Sequence, residues 1–115
     1  MNVTIYHNPR CSNSRRALAL LRERGIELEV IDYLEHPLDV AQLKALVQRM
    51  GVPLHELLRP KEAVYAELDL GNPARTEAAL YAAVAAHPML LNRPIVVTPK
   101  GALLCRPPER VLELL

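Results

Sequence analysis

Val3-Thr4-Ile5-Tyr6-His7-Asn8-Pro9-Arg10-Cys11-Ser12-Asn13-Ser14-Arg15 reads as an apolar, β-rich run that turns within His7 to Cys11 and feeds a helical pattern beginning at Ser12. A strand that turns sharply into a helix leaves its turn residue beside the unpaired N–H groups of the first helical turn. Here that residue is Cys11. Free N–H groups and the positive end of the helix dipole favour a thiolate over a thiol, and His7, Arg10, Arg15 and Arg16 add positive or polarisable neighbours. Cysteines in general are small buried hydrophobes, but this density of arginine is hard to reconcile with burial. The stretch therefore predicts a nucleophilic sulfur at neutral pH.

Working outward, Ala17, Leu18, Leu20 and Leu21 place apolar residues on one face of the helix, with Arg15, Arg16, Arg22, Glu23 and Arg24 on the polar side and Gly25 as a stop. Leu28-Glu29-Val30-Ile31-Asp32-Tyr33 reads as a second strand, so the first third is a βαβ unit whose crossover should be right-handed. Pro37-Leu38-Asp39 opens a second helix with Val40, Leu43, Leu46, Val47 and Met50 at helical spacing, closed by Gly51. Short helical pieces are expected over Leu54 to Leu58 and Lys61 to Leu68. An Ala-rich helix follows from about Glu77 to Ala86, so that the stretch from 39 to 86 reads as wholly helical, broken once at Asn72-Pro73. Pro94-Ile95-Val96-Val97-Thr98, the turn Pro99-Lys100-Gly101 and Ala102-Leu103-Leu104-Cys105 predict a hairpin. Pro107 to Leu115 predicts a final helix with Pro in its first turn. The order is β-α-β, a helical insertion, then β-β-α, which implies a mixed sheet with helices against its faces.

The 115 residues suit one domain with a real core, and no linker-like stretch divides them. Half the residues are apolar, yet Phe and Trp are absent, so that core must be aliphatic with a few tyrosines. A net charge of +1 gives no support for nucleic-acid or membrane binding by bulk electrostatics. With no apolar run approaching ~18 residues and no signal-peptide pattern, the expectation is a soluble, cytoplasmic protein. Cys11 and Cys105 form neither a C-x-x-C pair nor a zinc spacing, and His36, His55 and His87 have no metal-like partner at i+4. No metal site is expected, and free thiols are the default in a reducing compartment.

The β-α-β…β-β-α order with a cysteine at the first strand-to-helix turn resembles the thioredoxin fold, in which a cis proline before the third strand faces the cysteine; Arg93-Pro94 stands at that place. Beyond the fold, three separated motifs resemble the glutaredoxin-coupled, ArsC-type arsenate reductases. They are His7 to Arg15, Leu57-Leu58-Arg59, and Asn92-Arg93-Pro94-Ile95-Val96-Val97-Thr98-Pro99 with Cys105-Arg106-Pro107. The match runs in order over essentially the whole chain. It implies Cys11 as the nucleophile, His7 beside it, and Arg59, Arg93 and Arg106 as oxyanion-binding arginines, with Ser14 and Arg15 in the same active-site loop. Planar guanidinium forks and a helix N-terminus suit a tetrahedral oxyanion such as arsenate. The resemblance further implies a covalent thiol-arsenate adduct, no bound cofactor, glutathione as co-substrate and glutaredoxin as the partner that resolves the mixed disulfide.

Each arginine also has a plainer reading. Arg59 ends a short helix, where a cation suits the dipole; Arg93 reads as loop charge and Arg106 as helix-boundary charge, and His7 reads equally as a strand-end histidine. Their joint occurrence at the family's positions favours the site. Two other functions compete. Spx-type regulators share the fold and bind RNA polymerase, but they commonly carry a C-x-x-C switch where this chain has Cys11-Ser12-Asn13-Ser14. A glutaredoxin-like thiol transferase without an arsenic role would have no use for three arginines. Cys105, in an apolar strand beside Leu103, reads as a buried, protonated packing residue.

Overall fold

Alternation along Val3–His7 (β1) buries Val3, Ile5 and His7 and leaves Thr4 and Tyr6 half-buried, the period of a strand with one face on the core. A computed structural model describes residues 2–115. In it β1 is followed by a helix at Ser12–Glu23 (α1), a strand at Leu28–Asp32 (β2), and a helix at Val40–Met50 (α2). A 3-10 turn at Leu54–Leu57, short helix α3 at Ala63–Glu67, helix α4 at Glu77–Ala86 and a 3-10 turn at Pro88–Leu90 come next. Strands β3 (Ile95–Thr98) and β4 (Gly101–Leu104) and a 3-10 helix at Pro108–Leu114 complete the order. The chain forms two compact units, one made of the described residues up to His36 with Arg93–Leu115 and the other of Pro37–Asn92.

The first unit holds a four-stranded sheet in the order β2-β1-β3-β4. β1 pairs parallel with β2, Ile5 opposite Val30, and antiparallel with β3, Ile5 opposite Val96; β3 and β4 form the expected hairpin. This is the mixed, thioredoxin-like sheet that the element order predicts. On one face Val3, Ile5 and Val96 meet Ala17, Leu18 and Leu21 of α1, Cys105, and Val111 and Leu114 of the C-terminal 3-10 helix. Leu21 is fully buried, and sinking one such side chain contributes about 1.5–3 kcal/mol. α1 stops where Gly25, at φ +70°, turns its N–H back to the Arg22 carbonyl (2.9 Å), a left-handed conformation that a Cβ would disfavour.

The last element differs from the α-helix expected over Pro107 to Leu115. It is a 3-10 helix from Pro108, Pro107 being its N-cap, and its end is tied down by side chains. The buried Thr98 hydroxyl donates to the Leu114 carbonyl at 2.9 Å, and Lys100 Nζ donates to the Leu115 carbonyl.

In the second unit Asp39 caps α2 through a reciprocal pair, accepting from Gln42 N–H (2.8 Å) while Gln42 Oε1 accepts from Asp39 N–H (3.0 Å). Gly51 closes α2 in the left-handed region, and Thr76 caps α4. Leu43, Leu46, Leu54, Leu57, Leu80, Val84 and Leu90 are buried. The stretch from 39 to 86 is less uniformly helical than the sequence predicts. Pro53 and Pro60 confine the Leu54 segment to a single 3-10 turn, α3 spans only five residues, and Leu58 forms a β-bridge with Leu91. Of the tyrosines read as core, Tyr33 and Tyr81 are buried and Tyr65 is half-buried.

Candidate active site

Cys11 is the N-cap of α1, with extended backbone (φ −91°, ψ 124°) and a side chain that makes no capping bond of its own. The N–H groups of Ser14 and Asn13 in the first helical turn nonetheless favour the thiolate form of its sulfur. The loop that places it is built on Asn8, a residue not singled out from the sequence. Asn8 is buried, its carbonyl accepts from Cys11 N–H at 3.0 Å, its side-chain oxygen accepts from Arg10 N–H at 2.9 Å, and its own N–H donates to Ser14 Oγ at 3.1 Å. The Asn8-Pro9 pair was the available signal, since Asn folds its side chain onto the backbone two residues on.

Ser14 is wholly buried, and its hydroxyl lies 2.6 Å from His7 Nδ1. His7 thus bonds to Ser14 of the loop. Burial lowers its basicity; Asp32, its neighbour on β2, pulls the other way, and Arg22 and Arg15 add to the depression. Arg15 donates from Nη1 to the Pro9 carbonyl at 3.0 Å and, with His7, Pro9, Leu18 and Arg22, lines an open cleft of about 530 Å³.

Two of the three arginines meet at the sulfur. Arg93 hydrogen-bonds to it, and Arg106 Nη1 lies 3.9 Å from it while donating to the Arg93 carbonyl at 3.0 Å. Both precede cis prolines, Pro94 and Pro107. With its amide oxygen facing the guanidinium, Asn13 accepts from Arg106 Nη1 at 3.2 Å and Nη2 at 3.1 Å. Asn13 is the second residue that sequence reading passed over, since no local pattern links it to so distant an arginine. Arg59 belongs to the second unit, where its Nε pairs with Glu62 at 3.3 Å and its Nη1 donates to Asn92 Oδ1 at 3.3 Å.

These contacts decide the state of the thiol. Burial pushes Cys11 up, but the Ser14 N–H, the Arg93 guanidinium through hydrogen bond and charge, and the Asn13 N–H outweigh it and hold the thiol below its ordinary range. Cys105 shows the opposite case. It is fully buried in the core of the first unit, and burial pushes it up to about 12. Among the described residues no group of three His, Cys, Asp or Glu side chains could hold a metal ion, and no helix is long and apolar enough to cross a membrane. The arrangement sets a thiol held below its ordinary range, a helix N-terminus and two guanidiniums around one point, a disposition that suits an anion beside a nucleophile.

Comparison with known proteins points the same way. The ArsC family model matches residues 6–114. The chain is 47% identical over 115 residues to an arsenate reductase of Rhizobium meliloti (strain 1021), covering all of this chain and 82% of the relative. It is 50% identical to the uncharacterized protein YfgD of Escherichia coli (strain K12), covering 97% of this chain and 95% of that one. A solved arsenate reductase from Vibrio cholerae superposes with a TM-score of 0.96 at 50% identity, covering 100% and 98% of the two chains. With the sheet, the cysteine loop and the paired arginines in place, this match over nearly its full length shows that the chain belongs to the ArsC family.

Proposed function

We propose that this protein reduces arsenate to arsenite through a Cys11 thiolate adduct, with glutathione and glutaredoxin as electron donors. The observation that carries the reading is the pair of guanidiniums, Arg93 and Arg106, turned onto a sulfur at the N-cap of a helix. Thiol-disulfide exchange alone needs no such cation pair, whereas a tetrahedral oxyanion attacked by the sulfur does. Arg59 enters the reading from its motif, as a third cation for the oxyanion.

In the first step the thiolate attacks the arsenic of dihydrogen arsenate. One oxygen leaves as water after taking up a proton, and a Cys11 sulfur-arsenic(V) bond forms. His7, bonded to Ser14, is assigned to the handling of that proton. In the second step glutathione attacks the Cys11 sulfur. The electron pair of the sulfur-arsenic bond stays on arsenic, which becomes arsenite, the thiol proton passes to an arsenite oxygen, and a Cys11-glutathione disulfide remains. Glutaredoxin then takes over the glutathione moiety and returns Cys11 to the thiol. No resident cofactor is needed, because both electrons come from thiols, and the dependence on reduced thiols places the protein in the cytoplasm. The coupled assay tests this: arsenate, glutathione, glutaredoxin and NADPH recycling should yield arsenite with the wild type and none with Cys11→Ser. Disulfide reduction without arsenite formation would leave a thiol transferase instead.

A further inference from the structure

Arg106 is exposed at the end of the β4 segment, and a guanidinium in that position has the freedom to swing into solvent. Three acceptors fix it: the Cys11 sulfur, the Arg93 carbonyl, and the amide oxygen of Asn13, which alone takes a donor from both terminal nitrogens. We propose that Asn13 is a positioning residue that holds the Arg106 guanidinium at the sulfur, preset for the incoming oxyanion. The proposal rests on the arsenate reading for what the cradle binds, and on the geometry alone for how the arginine is held.

The chemistry of an amide suits this task. Its oxygen is a good acceptor for two N–H donors yet carries no net charge, so it orients the guanidinium without neutralising it. A carboxylate at the same place would hold the fork at least as firmly and cancel the charge that the oxyanion needs. An alanine would leave the long side chain to be ordered by the ligand itself. Asn13 stands on the first turn of α1, whose N-cap is Cys11. The side chain is therefore anchored by the same helical turn that holds the sulfur, and the two halves of the cradle share one rigid element.

The test has two arms. In the ligand-free protein, NMR of the arginine side chains reports rotation about the Arg106 guanidinium. Rotation should be restricted in the parent, should become free in Asn13→Ala, and should stay restricted in Asn13→Asp. In the second arm, arsenate binding is titrated into Cys11→Ser protein, which holds the oxyanion without chemistry. Asn13→Ala should weaken it roughly two- to tenfold, the entropic cost of fixing one long side chain. Asn13→Asp should weaken it at least as much, and Asn13→Ala should not matter once Arg106 is alanine. Unchanged Arg106 rotation in Asn13→Ala overturns the proposal, as does an equal loss of arsenate binding with and without Arg106. If arsenate fails to bind even the parent, the arsenate reading falls and the rotation arm alone decides the role of Asn13.

Discussion

Replacing Arg93 with methionine keeps the aliphatic stem but removes both its hydrogen bond and its charge from the Cys11 sulfur. Four contributions oppose burial at that sulfur: the Ser14 N–H, the Arg93 hydrogen bond, the Arg93 charge and the Asn13 N–H. The substitution deletes two of them and leaves burial with only the two backbone donors against it. A hydrogen bond to a charged group is worth about 1.5–3 kcal/mol in favour of the thiolate, and the substitution forfeits it. Cys11 is partly open to solvent, so screening places the loss near the lower end of that range, about tenfold in thiolate fraction at neutral pH. The assay follows thiolate absorbance and alkylation rate against pH in a Cys105→Ser background, where Cys11 is the sole thiol. The parent midpoint should lie below the usual value of about 8.5, and Arg93→Met should raise it. Arg10→Met, on the exposed tip of the same loop, should titrate with the parent. A midpoint that does not move on loss of Arg93, or a parent midpoint at or above the usual value, would refute the claim that this guanidinium activates the sulfur.

Cys105→Ser should keep most of the turnover, because its sulfur is fully buried and pushed up to about 12, a poor thiolate at any working pH; steady-state arsenite production measures this. His7 gives the molecule a pH signature. Burial depresses its folded-state value below the unfolded one of about 6.5, so the unfolded chain binds the proton more readily. The neutral ring's contribution to stability is then present above about pH 6.5 and is lost as pH falls through the depressed value. Thermal melts should show the wild type losing stability relative to His7→Gln as pH drops from 7 towards 5, whereas parallel curves would contradict it.

Much of the fold was legible because it rests on local period. The β1-α1-β2 unit follows from the alternation at Val3–His7, the apolar stripe of α1 and the stop at Gly25. The start of α2 at Asp39 and the boundaries of α4 were equally plain. Over Pro107 to Leu115 the spacing of Val111, Leu112, Leu114 and Leu115 fits either kind of helix. The outcome was set by the contacts of Thr98 and Lys100 with the last carbonyls, which no local pattern encodes. The site divides in the same way. Cys11 announces itself by its place before a helix, and Arg93 and Arg106 by their motifs. Asn13 works through Arg106, and Asn8 through three separate hydrogen bonds of the loop. Those pairings depend on tertiary placement and side-chain rotamers, on which composition and spacing are silent.

The central claim is that Cys11 carries the chemistry and that an external thiol resolves it. One measurement addresses both: a single turnover with arsenate and glutathione, glutaredoxin omitted, quenched with acid and mapped by mass spectrometry. The expected result is one glutathione in disulfide linkage on Cys11, one arsenite released per protein, and an unmodified Cys105. A Cys11-Cys105 disulfide with arsenite released would contradict it, because the electrons would then come from within the chain.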